Sequence, residues 1–288
     1  IMILVILKEV RVDLVLLEIV MTNIEFTEDE IQRYARHITL PQVGGIGQRK
    51  LMNAKVLAIG AGGLGSPLLL YLAAAGVGTI GIIDDDKVEL SNLQRQIIHK
   101  TSMIGTYKTD SAKTTILTIN PNINVITYKK RFTFSNAEAI VSKYDIVADG
   151  SDNFGTRFLV NDACFLTKKP LVSAAILRFE GQISTYSAYK DSNCCYRCLW
   201  PAPPPKGLIA SCGEAGVFGA LAGSIGSLQA IEVLKEILGI GKSLNNLLLI
   251  FDTLSSEMRK VKINKDINCQ LCGIKPNITS IKEHKDYS

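Results

Sequence analysis

Two Cys-x-x-Cys pairs form the clearest metal-binding pattern in this sequence. The pairs are Cys195 with Cys198 and Cys269 with Cys272. Four thiolates at this spacing make the tetrahedral ligand set that suits Zn²⁺, and a four-sulfur site leaves no open position for a substrate. A redox motif is the alternative for either pair alone. We therefore expect a structural Zn²⁺ ion, with Cys194 as a spectator because only Cys195 has the x-x spacing to Cys198.

A glycine-rich turn supplies the second chemical pattern. Residues 60–65 (GAGGLG) lie between an apolar strand-like run and an apolar helix-like run. Glycines in such a turn let the backbone approach phosphate oxygens, and the helix N-terminus favours negative charge. Asp84 ends the next strand-like run, where a carboxylate can accept hydrogen bonds from ribose hydroxyls. A dehydrogenase, an ATP-using enzyme and a merely structural turn share this pattern, so the candidate nucleotide-binding residues are Gly60, Gly62, Gly63, Gly65 and Asp84.

Charged and polar residues that could surround phosphates follow the predicted strands. No Gly-Lys-Ser/Thr follows the turn, which excludes a P-loop and requires phosphate-neutralising groups from elsewhere. The candidates are Ser91, Asn92, Arg95, Lys108, Asp152 and Asn153, and of these Asp152 is suited to hold Mg²⁺. Singly, each has a plainer explanation: a surface position for Arg95, a solvated helix position for Lys108, an N-cap for Asp152. Their joint placement after successive strands favours the functional interpretation.

These side chains have to be positioned by alternating strands and helices. Strand-like runs at 55–59, 79–84, 124–128, 144–148 and 171–174 alternate with helical patterns at 68–75, 109–119 and 153–166. Further strand-like residues at 181–187 and 247–263 flank a long helical pattern at 220–237. The pattern predicts an α/β fold with a Rossmann-like, mostly parallel sheet flanked by helices, together with a smaller appended β region and the four-cysteine zinc site.

Composition and termini exclude several classes of protein. The 288 residues are 47% apolar and 20% charged, as in ordinary globular proteins, and the net charge of +5 is too small to indicate nucleic-acid binding. Charges interrupt the apolar residues 1–20 before any run reaches the roughly 18 residues that a membrane span needs. We expect an N-terminal extension at 1–20 upstream of a start at Met21, or alternatively an extra ordered element there. We also expect a single domain over 21–288, a cytoplasmic location, and no nucleic-acid or membrane partner.

Taken together, the ordered motifs resemble the MoeB/ThiF/HesA family, the bacterial relatives of ubiquitin-activating enzymes. The resemblance runs from about Arg33 to Gly273. The matching segments are RYAR at 33–36, GAGGLG at 60–65, the strand ending in Asp84, SNLQRQ at 91–96, Lys108, SDN at 151–153, PLVSAA at 170–175, EGQI at 180–183, CYRC at 195–198, SCGEAGV at 211–217 and CQLC at 269–272.

The resemblance implies a role for each matching position. Gly63 would lie against the nucleotide, and Asp84 would hold the ribose of ATP. Family members are homodimers in which an N-terminal arginine reaches the partner's ATP, and Arg36 matches that position. The triphosphate and its Mg²⁺ ion would be bound by Asn92, Arg95, Lys108 and Asp152.

The implied reaction is adenylylation of the C-terminal glycine carboxylate of a ubiquitin-like sulfur-carrier protein that ends in Gly-Gly. Fixed cations would lower the barrier between two anionic reactants, and no general base is needed because the carboxylate is already ionised. The carrier would be MoaD-like or ThiS-like, for molybdenum cofactor or thiamine thiazole biosynthesis. Because no rhodanese-like sequence follows Gly273, we expect a sulfur donor that acts in trans. The histidines, which need no catalytic role, are His37, His99 and His284.

Two other cysteines and three other functions complete the sequence-based expectations. Cys212 matches a segment that crosses over the carrier's tail, and in some relatives a thiol there bonds covalently to the activated carrier; an incidental cysteine is the alternative. Cys164, in an apolar helical pattern, is expected in the core. The alternative functions are a nicotinamide-dependent oxidoreductase, a non-catalytic relative that binds ubiquitin-like proteins, and an enzyme that activates a tRNA modification.

Overall fold

The computed structural model describes residues 26–190, 192–205 and 216–283. The expected extension at 1–20, Met21, Cys212 and His284 lie outside the described residues. Within the described part of the chain, no helix is both long enough and apolar enough to cross a bilayer.

Helices and strands alternate through the first two thirds of the chain, as predicted. The α-helices are α1 (Glu28–Ile38), α2 (Gly44–Asn53), α3 (Gly65–Ala74), α4 (Lys108–Ile119), α5 (Phe134–Val141), α6 (Phe154–Leu166), α7 (Tyr196–Leu199) and α8 (Gly219–Leu238). The strands are β1 (Lys55–Ile59), β2 (Thr79–Ile83), β3 (Asn124–Tyr128), β4 (Ile146–Asp149), β5 (Leu171–Leu177), β6 (Glu180–Tyr186), β7 (Leu247–Asp252) and β8 (Glu257–Lys262). Short 3₁₀ turns occur at Leu90–Asn92, Thr101–Met103 and Ile281–Glu283.

These eight strands belong to one sheet, in the order β3-β2-β1-β4-β5-β6-β7-β8. The pairs from β3 through β5 are parallel, and the pairs from β5 through β8 are antiparallel. The predicted α/β fold is therefore confirmed. The appended β region is the antiparallel continuation of the same sheet, and the strand expected at 144–148 begins two residues later, at Ile146.

Alternation of side chains along the central strands divides the core between the two faces of the sheet. On β1, Val56 and Ala58 pack in a cluster with residues of α3, α4 and α8. Leu57 and Ile59 point the other way and pack in a cluster with residues of α5 and α6. Because both faces are covered, the central strands are apolar on both sides, which explains their continuous apolar runs.

The strand order places a crevice at the carboxyl ends of β1, β2 and β4. β1 lies between β2 on one side and β4 on the other, so the chain leaves the sheet in opposite directions at this point. In open α/β sheets, ligands bind at such a switch point. The turn after β1 begins with Gly60 at φ +91°, a left-handed conformation that favours glycine.

Candidate nucleotide-binding site

Backbone contacts close the glycine turn and exclude a side chain at Gly65, whereas a side chain at Gly63 would crowd α8. The Gly60 N–H donates to the Ile83 carbonyl at 2.9 Å, which ties the turn to β2. A Cβ atom at Gly65 would lie 2.2 Å from the Gly60 carbonyl oxygen, and one at Gly63 would lie 3.2 Å from Ala222 of α8. Gly65, the first residue of α3, therefore allows the turn to be tight, and Gly63 leaves the surface beside α8 free of a side chain.

Asp84 is fixed directly beside this turn. Its Oδ2 accepts from the Ala61 N–H at 2.8 Å, and its Oδ1 accepts from the Asp86 N–H at 2.9 Å. Burial raises the pKa of the Asp84 carboxyl above its ordinary value, while Lys108 and the two N–H groups pull it down. The carboxylate therefore lies beside the glycine turn in a fixed orientation, which suits the ribose-binding role predicted for it.

One cavity of about 380 Å³ lies at this edge of the sheet and brings together most of the predicted residues. Eight of the predicted nucleotide-binding residues line it: Gly60, Gly62, Gly63, Asp84, Arg95, Lys108, Asp152 and Asn153. Arg95, Lys108 and Asp152, which are far apart in sequence, therefore face the same space as the glycine turn. Two positive side chains and one exposed carboxylate around a glycine turn can together bind a metal-complexed polyphosphate.

The loop after β4 brings Asp152 to the wall of this cavity. Asn153 is the N-cap of α6, since its Oδ1 accepts from the Thr156 N–H at 2.8 Å. The capping explanation considered for Asp152 is therefore wrong, because the neighbouring residue occupies that position. Asp152 is exposed at the cavity, and its Oδ1 lies 3.4 Å from the Asn153 amide.

Four predicted residues do not line the cavity. Gly65 opens α3, as described above. Ser91 is exposed, and its hydroxyl donates to the Glu89 carboxylate at 3.3 Å. Asn92 is buried, and its Oδ1 accepts from the Glu89 N–H at 3.1 Å, so this side chain stabilises the loop after β2. Arg36 is exposed on α1. Their roles toward a nucleotide stay predictions.

The structure adds cavity residues that the sequence reasoning missed. Lys130 and Arg131 follow β3 and line the cavity beside Asp84, and Arg157 lines it from the first turn of α6. The Arg157 guanidinium donates twice to the Ser151 carbonyl, from Nε at 3.2 Å and from Nη2 at 2.8 Å. The signal available in the sequence was the basic run that directly follows a predicted strand, at the edge where the other candidates cluster.

The acidic residues after β2 were also only partly anticipated. Asp84, Asp85 and Asp86 bring carboxylate oxygens within 4.8 Å of one another, and all three line the cavity. Lys108 donates to Asp86 at 2.6 Å, so its positive charge is neutralised by a protein carboxylate.

The four paired cysteines meet in space, as the spacing predicted. Their ligand atoms all lie within 4.8 Å of one another, and the cluster is Cys195, Cys198, Cys269 and Cys272. Three Sγ–Sγ distances in the cluster are 3.9, 3.5 and 3.4 Å. A tetrahedron with Zn–S bonds of about 2.3 Å has edges of about 3.8 Å, so the four sulfurs fit a Zn²⁺ ion. Cys194 is buried in the core beside α6 and is not a member of the cluster, which confirms the predicted choice between the neighbouring cysteines.

The described histidines and Cys164 serve the fold. His99 is buried, with Nδ1 2.9 Å from the Ser111 hydroxyl and Nε2 2.9 Å from the Ala61 carbonyl, so it supports the glycine turn from behind. Its pKa is lowered by burial. His37 Nδ1 lies 3.1 Å from the Gln48 side chain, and Cys164 is buried in the core, as expected.

Comparison with known proteins identifies the family. The model of the ThiF family matches residues 34–271. The chain belongs to the ThiF family. It is 45% identical to a protein of Thermus thermophilus named sulfur carrier protein adenylyltransferase, over 91% of this chain and 98% of that protein. The predicted MoeB/ThiF family resemblance is thereby confirmed.

Longer relatives share the same region of this ThiF-family chain. Adenylyltransferase and sulfurtransferase MOCS3 of Culex quinquefasciatus is 47% identical over 91% of this chain, and the chain spans 60% of that protein. The probable adenylyltransferase/sulfurtransferase MoeZ of Mycobacterium tuberculosis is 46% identical over 91% of this chain, which spans 66% of it. Among solved structures, E. coli MccB in complex with MccA-N7isoASN has a TM-score of 0.74 at 23% identity, covering 84% of this chain and 74% of that one. That similarity establishes the fold alone.

Proposed function

We propose that this protein uses ATP to adenylylate the C-terminal carboxylate of a ubiquitin-like sulfur-carrier protein. The proposal rests on one observation above all. Arg95, Lys108 and Asp152 come from three separate segments of the chain and line one cavity with the Gly60–Gly63 turn and Asp84. Relatives named as adenylyltransferases, about 45% identical over most of the chain, support the same activity.

ATP binds with its ribose on Asp84 and its phosphates along the glycine turn. The Asp84 carboxylate accepts hydrogen bonds from the ribose hydroxyls, and the turn at the N-terminal end of α3 favours the negative phosphates. Lys130 and Arg131 line the cavity on the β3 side of Asp84, beyond the ribose position. The triphosphate then extends toward Arg95 and Asp152 on the other side of the turn.

The reaction needs cations rather than a general base. A carboxylate oxygen of the carrier forms a bond to the α-phosphorus, the bond from that phosphorus to the bridging oxygen breaks, and pyrophosphate leaves. Both reactants are anions, so Arg95 and Lys108 lower the barrier by neutralising charge that develops on the phosphate oxygens. The cavity also holds the carboxylate and the phosphorus in line. Asp152 would hold Mg²⁺, which supplies further neutralisation when bound.

The four-cysteine cluster would hold a structural Zn²⁺ ion. Residues 269 and 272 belong to the C-terminal segment, and residues 195 and 198 lie at α7, so a bound ion joins two distant parts of the chain. All four ligands are protein sulfurs, so the site has no position for a substrate.

A homodimer would complete each nucleotide site. Arg36 is exposed on α1 and is not one of the residues that line the cavity of its own chain. A symmetric dimer that brings Arg36 of one protomer to the ATP of its partner would add a further cation to each reaction centre.

The test is carrier-dependent exchange of labelled pyrophosphate into ATP by the purified full chain. MoaD-like and ThiS-like carriers from the same organism are the two substrates, and each carrier lacking its terminal glycine is the matched control. We expect exchange with an intact carrier and none with its truncated form. If neither intact carrier supports exchange, and thermal shifts show stabilisation by NAD rather than ATP, the adenylyltransferase proposal is wrong.

A further inference from the structure

A buried ion pair connects the cysteine cluster to α6. Arg197 lies within the Cys195–Cys198 turn, and its Nε and Nη2 donate to the two oxygens of Asp162, each at 2.7 Å. Their side chains are 1% and 0% exposed. A bidentate pair of this kind fixes both the distance and the relative orientation of the elements that carry it. The turn of the cysteine cluster is therefore attached rigidly to the middle of α6.

Contacts around the pair strengthen the same attachment. The Tyr196 N–H donates to Asn161 Oδ1 at 2.8 Å. The Arg197 guanidinium lies 4.7 Å from the centre of the Phe158 ring, and the Tyr196 ring meets the Phe158 ring edge-on at 5.2 Å. Two consecutive residues of the cysteine turn thus bind three side chains of α6.

The N-terminal end of α6 supports the wall of the nucleotide cavity. Arg157, in the first turn of the helix, donates twice to the Ser151 carbonyl, and Asn153 caps the helix. Asp152 lies between Ser151, which is held by Arg157, and the N-cap Asn153. At 1.5 Å per residue, Asp162 is roughly 13 Å along the helix from Asn153, so a rigid α6 carries the constraint from one end to the other.

We infer that Arg197 is a positioning residue for the nucleotide site: its ion pair with Asp162 fixes α6, and α6 fixes the loop at 151–153 that carries Asp152. The inference rests on the proposed function, since it assigns that loop to the binding of Mg²⁺ and phosphate. It predicts a selective defect. The Asp152 side of the cavity loosens when the pair is weakened, whereas the ribose side, built from the Gly60 turn and Asp84, does not.

Two variants of nearly unchanged side-chain size test this inference by weakening the buried ion pair. Arg197→Lys keeps the positive charge but cannot donate to both Asp162 oxygens as the guanidinium does. Asp162→Asn keeps the shape of the side chain and one acceptor oxygen. Lys235→Met is the matched control, because it breaks the ion pair with Glu232 on α8, away from the cavity. Zinc content, hydrogen exchange, and the dissociation constants for Mg·ATP and for AMP are measured for each protein.

We expect both variants to keep their zinc and to bind Mg·ATP roughly tenfold more weakly, the usual scale for loss of a group that orients a ligand-bearing residue. AMP affinity should stay within about twofold of the wild type, and amide exchange should accelerate at 151–157; the control variant should show neither change.

Three results would overturn the inference. One is unchanged Mg·ATP binding in both variants, the second is an equal loss of Mg·ATP and AMP binding, and the third is loss of zinc from both, which would limit the ion pair to maintaining the metal site. Failure of the proposed function would look different: the wild type itself would bind neither nucleotide. Hydrogen exchange at 151–157 would then still decide whether Arg197 controls the loop.

Discussion

The ammonium group of Lys108 lies 2.6 Å from a carboxylate oxygen of Asp86, at the wall of the nucleotide cavity. The lysine side chain is 7% exposed, whereas that of the aspartate is 65% exposed. The buried cation is therefore neutralised by a solvated partner. In the proposed site, phosphate oxygens of ATP would compete with Asp86 for Lys108.

Replacing Asp86 by Asn should therefore strengthen ATP binding. The variant removes one negative charge beside the proposed phosphate position. Because Asp86 itself is exposed, we take the pair to be worth about 1 kcal/mol, so the dissociation constant for ATP should fall by about fivefold. Calorimetric titration at low salt measures this dissociation constant in the wild type and in the variant. Asp110→Asn is the matched control, since Asp110 forms an exposed pair with Lys129 at 2.8 Å outside the cavity lining. Weaker ATP binding in Asp86→Asn would mean that Asp86 orients Lys108 instead of competing for it.

Acid should destabilise the protein through His99. Burial lowers the pKa of the imidazole below its ordinary value of 6.5, with Lys108 acting in the same direction and the Ala61 carbonyl opposing. The unfolded chain therefore binds a proton first as the pH falls. Stability from the neutral imidazole is complete above pH 6.5 and is lost as the pH falls from there toward the lowered pKa, by at most roughly 1.4 kcal/mol per pH unit.

The His99→Gln variant isolates this contribution, because an amide can still donate to the Ala61 carbonyl but does not titrate. Urea unfolding from about pH 7.5 downward gives the free energy of unfolding for both proteins. We expect the wild-type curve to fall more steeply than the variant curve below pH 6.5, the ordinary pKa of the imidazole. Parallel curves over this range would show that His99 does not contribute to acid sensitivity.

Two adjacent cysteines provide an internal test of the metal site. Cys195→Ala removes one of the four clustered sulfurs, whereas Cys194→Ala removes a buried sulfur outside the cluster. Metal analysis of fresh protein should find about one zinc per chain in the wild type and in Cys194→Ala, and clearly less in Cys195→Ala. The Tm of Cys195→Ala should fall further than that of Cys194→Ala, because metal binding contributes to the folding free energy. Equal zinc content in the two variants would refute the assignment of ligands.

Shared sites in a dimer predict complementation between two inactive variants. Arg36→Ala and Asp152→Ala should each lose carrier-dependent exchange of pyrophosphate into ATP. Dissociated and reassembled together, half of the dimers would contain one protomer of each kind, and one of their two sites would be intact. We expect roughly one quarter of wild-type exchange activity in the mixture.

The control is to dissociate and reassemble each variant separately, which should restore no exchange activity. Mass spectrometry of the mixture shows whether mixed dimers have formed. If they have formed and the mixture is still inactive, Arg36 acts in the same site as the Asp152 of its own chain. Full exchange activity in Asp152→Ala alone would remove Asp152 from the reaction.

Several features followed from the sequence by itself because they depend on neighbours in the chain. The glycine turn lies between an apolar strand and an apolar helix, and the spacing within the Cys195 and Cys269 motifs is a local property. Parallel strands bring their carboxyl ends to one edge, so residues that follow successive strands, such as Arg95 and Asp152, were expected to meet. Periodicity and spacing alone were enough for these predictions.

Only the tertiary structure decided which polar side chains reach the cavity. Asn92 stands three residues from Arg95, but its side chain turns inward and accepts from the Glu89 N–H. Arg157, for which the sequence pattern predicted only a helical position, donates to the Ser151 carbonyl at the cavity. The pairing of Arg197 with Asp162 joins residues 35 positions apart. Side-chain direction depends on the partners that folding brings within hydrogen-bond distance, and those partners lie far away in the sequence.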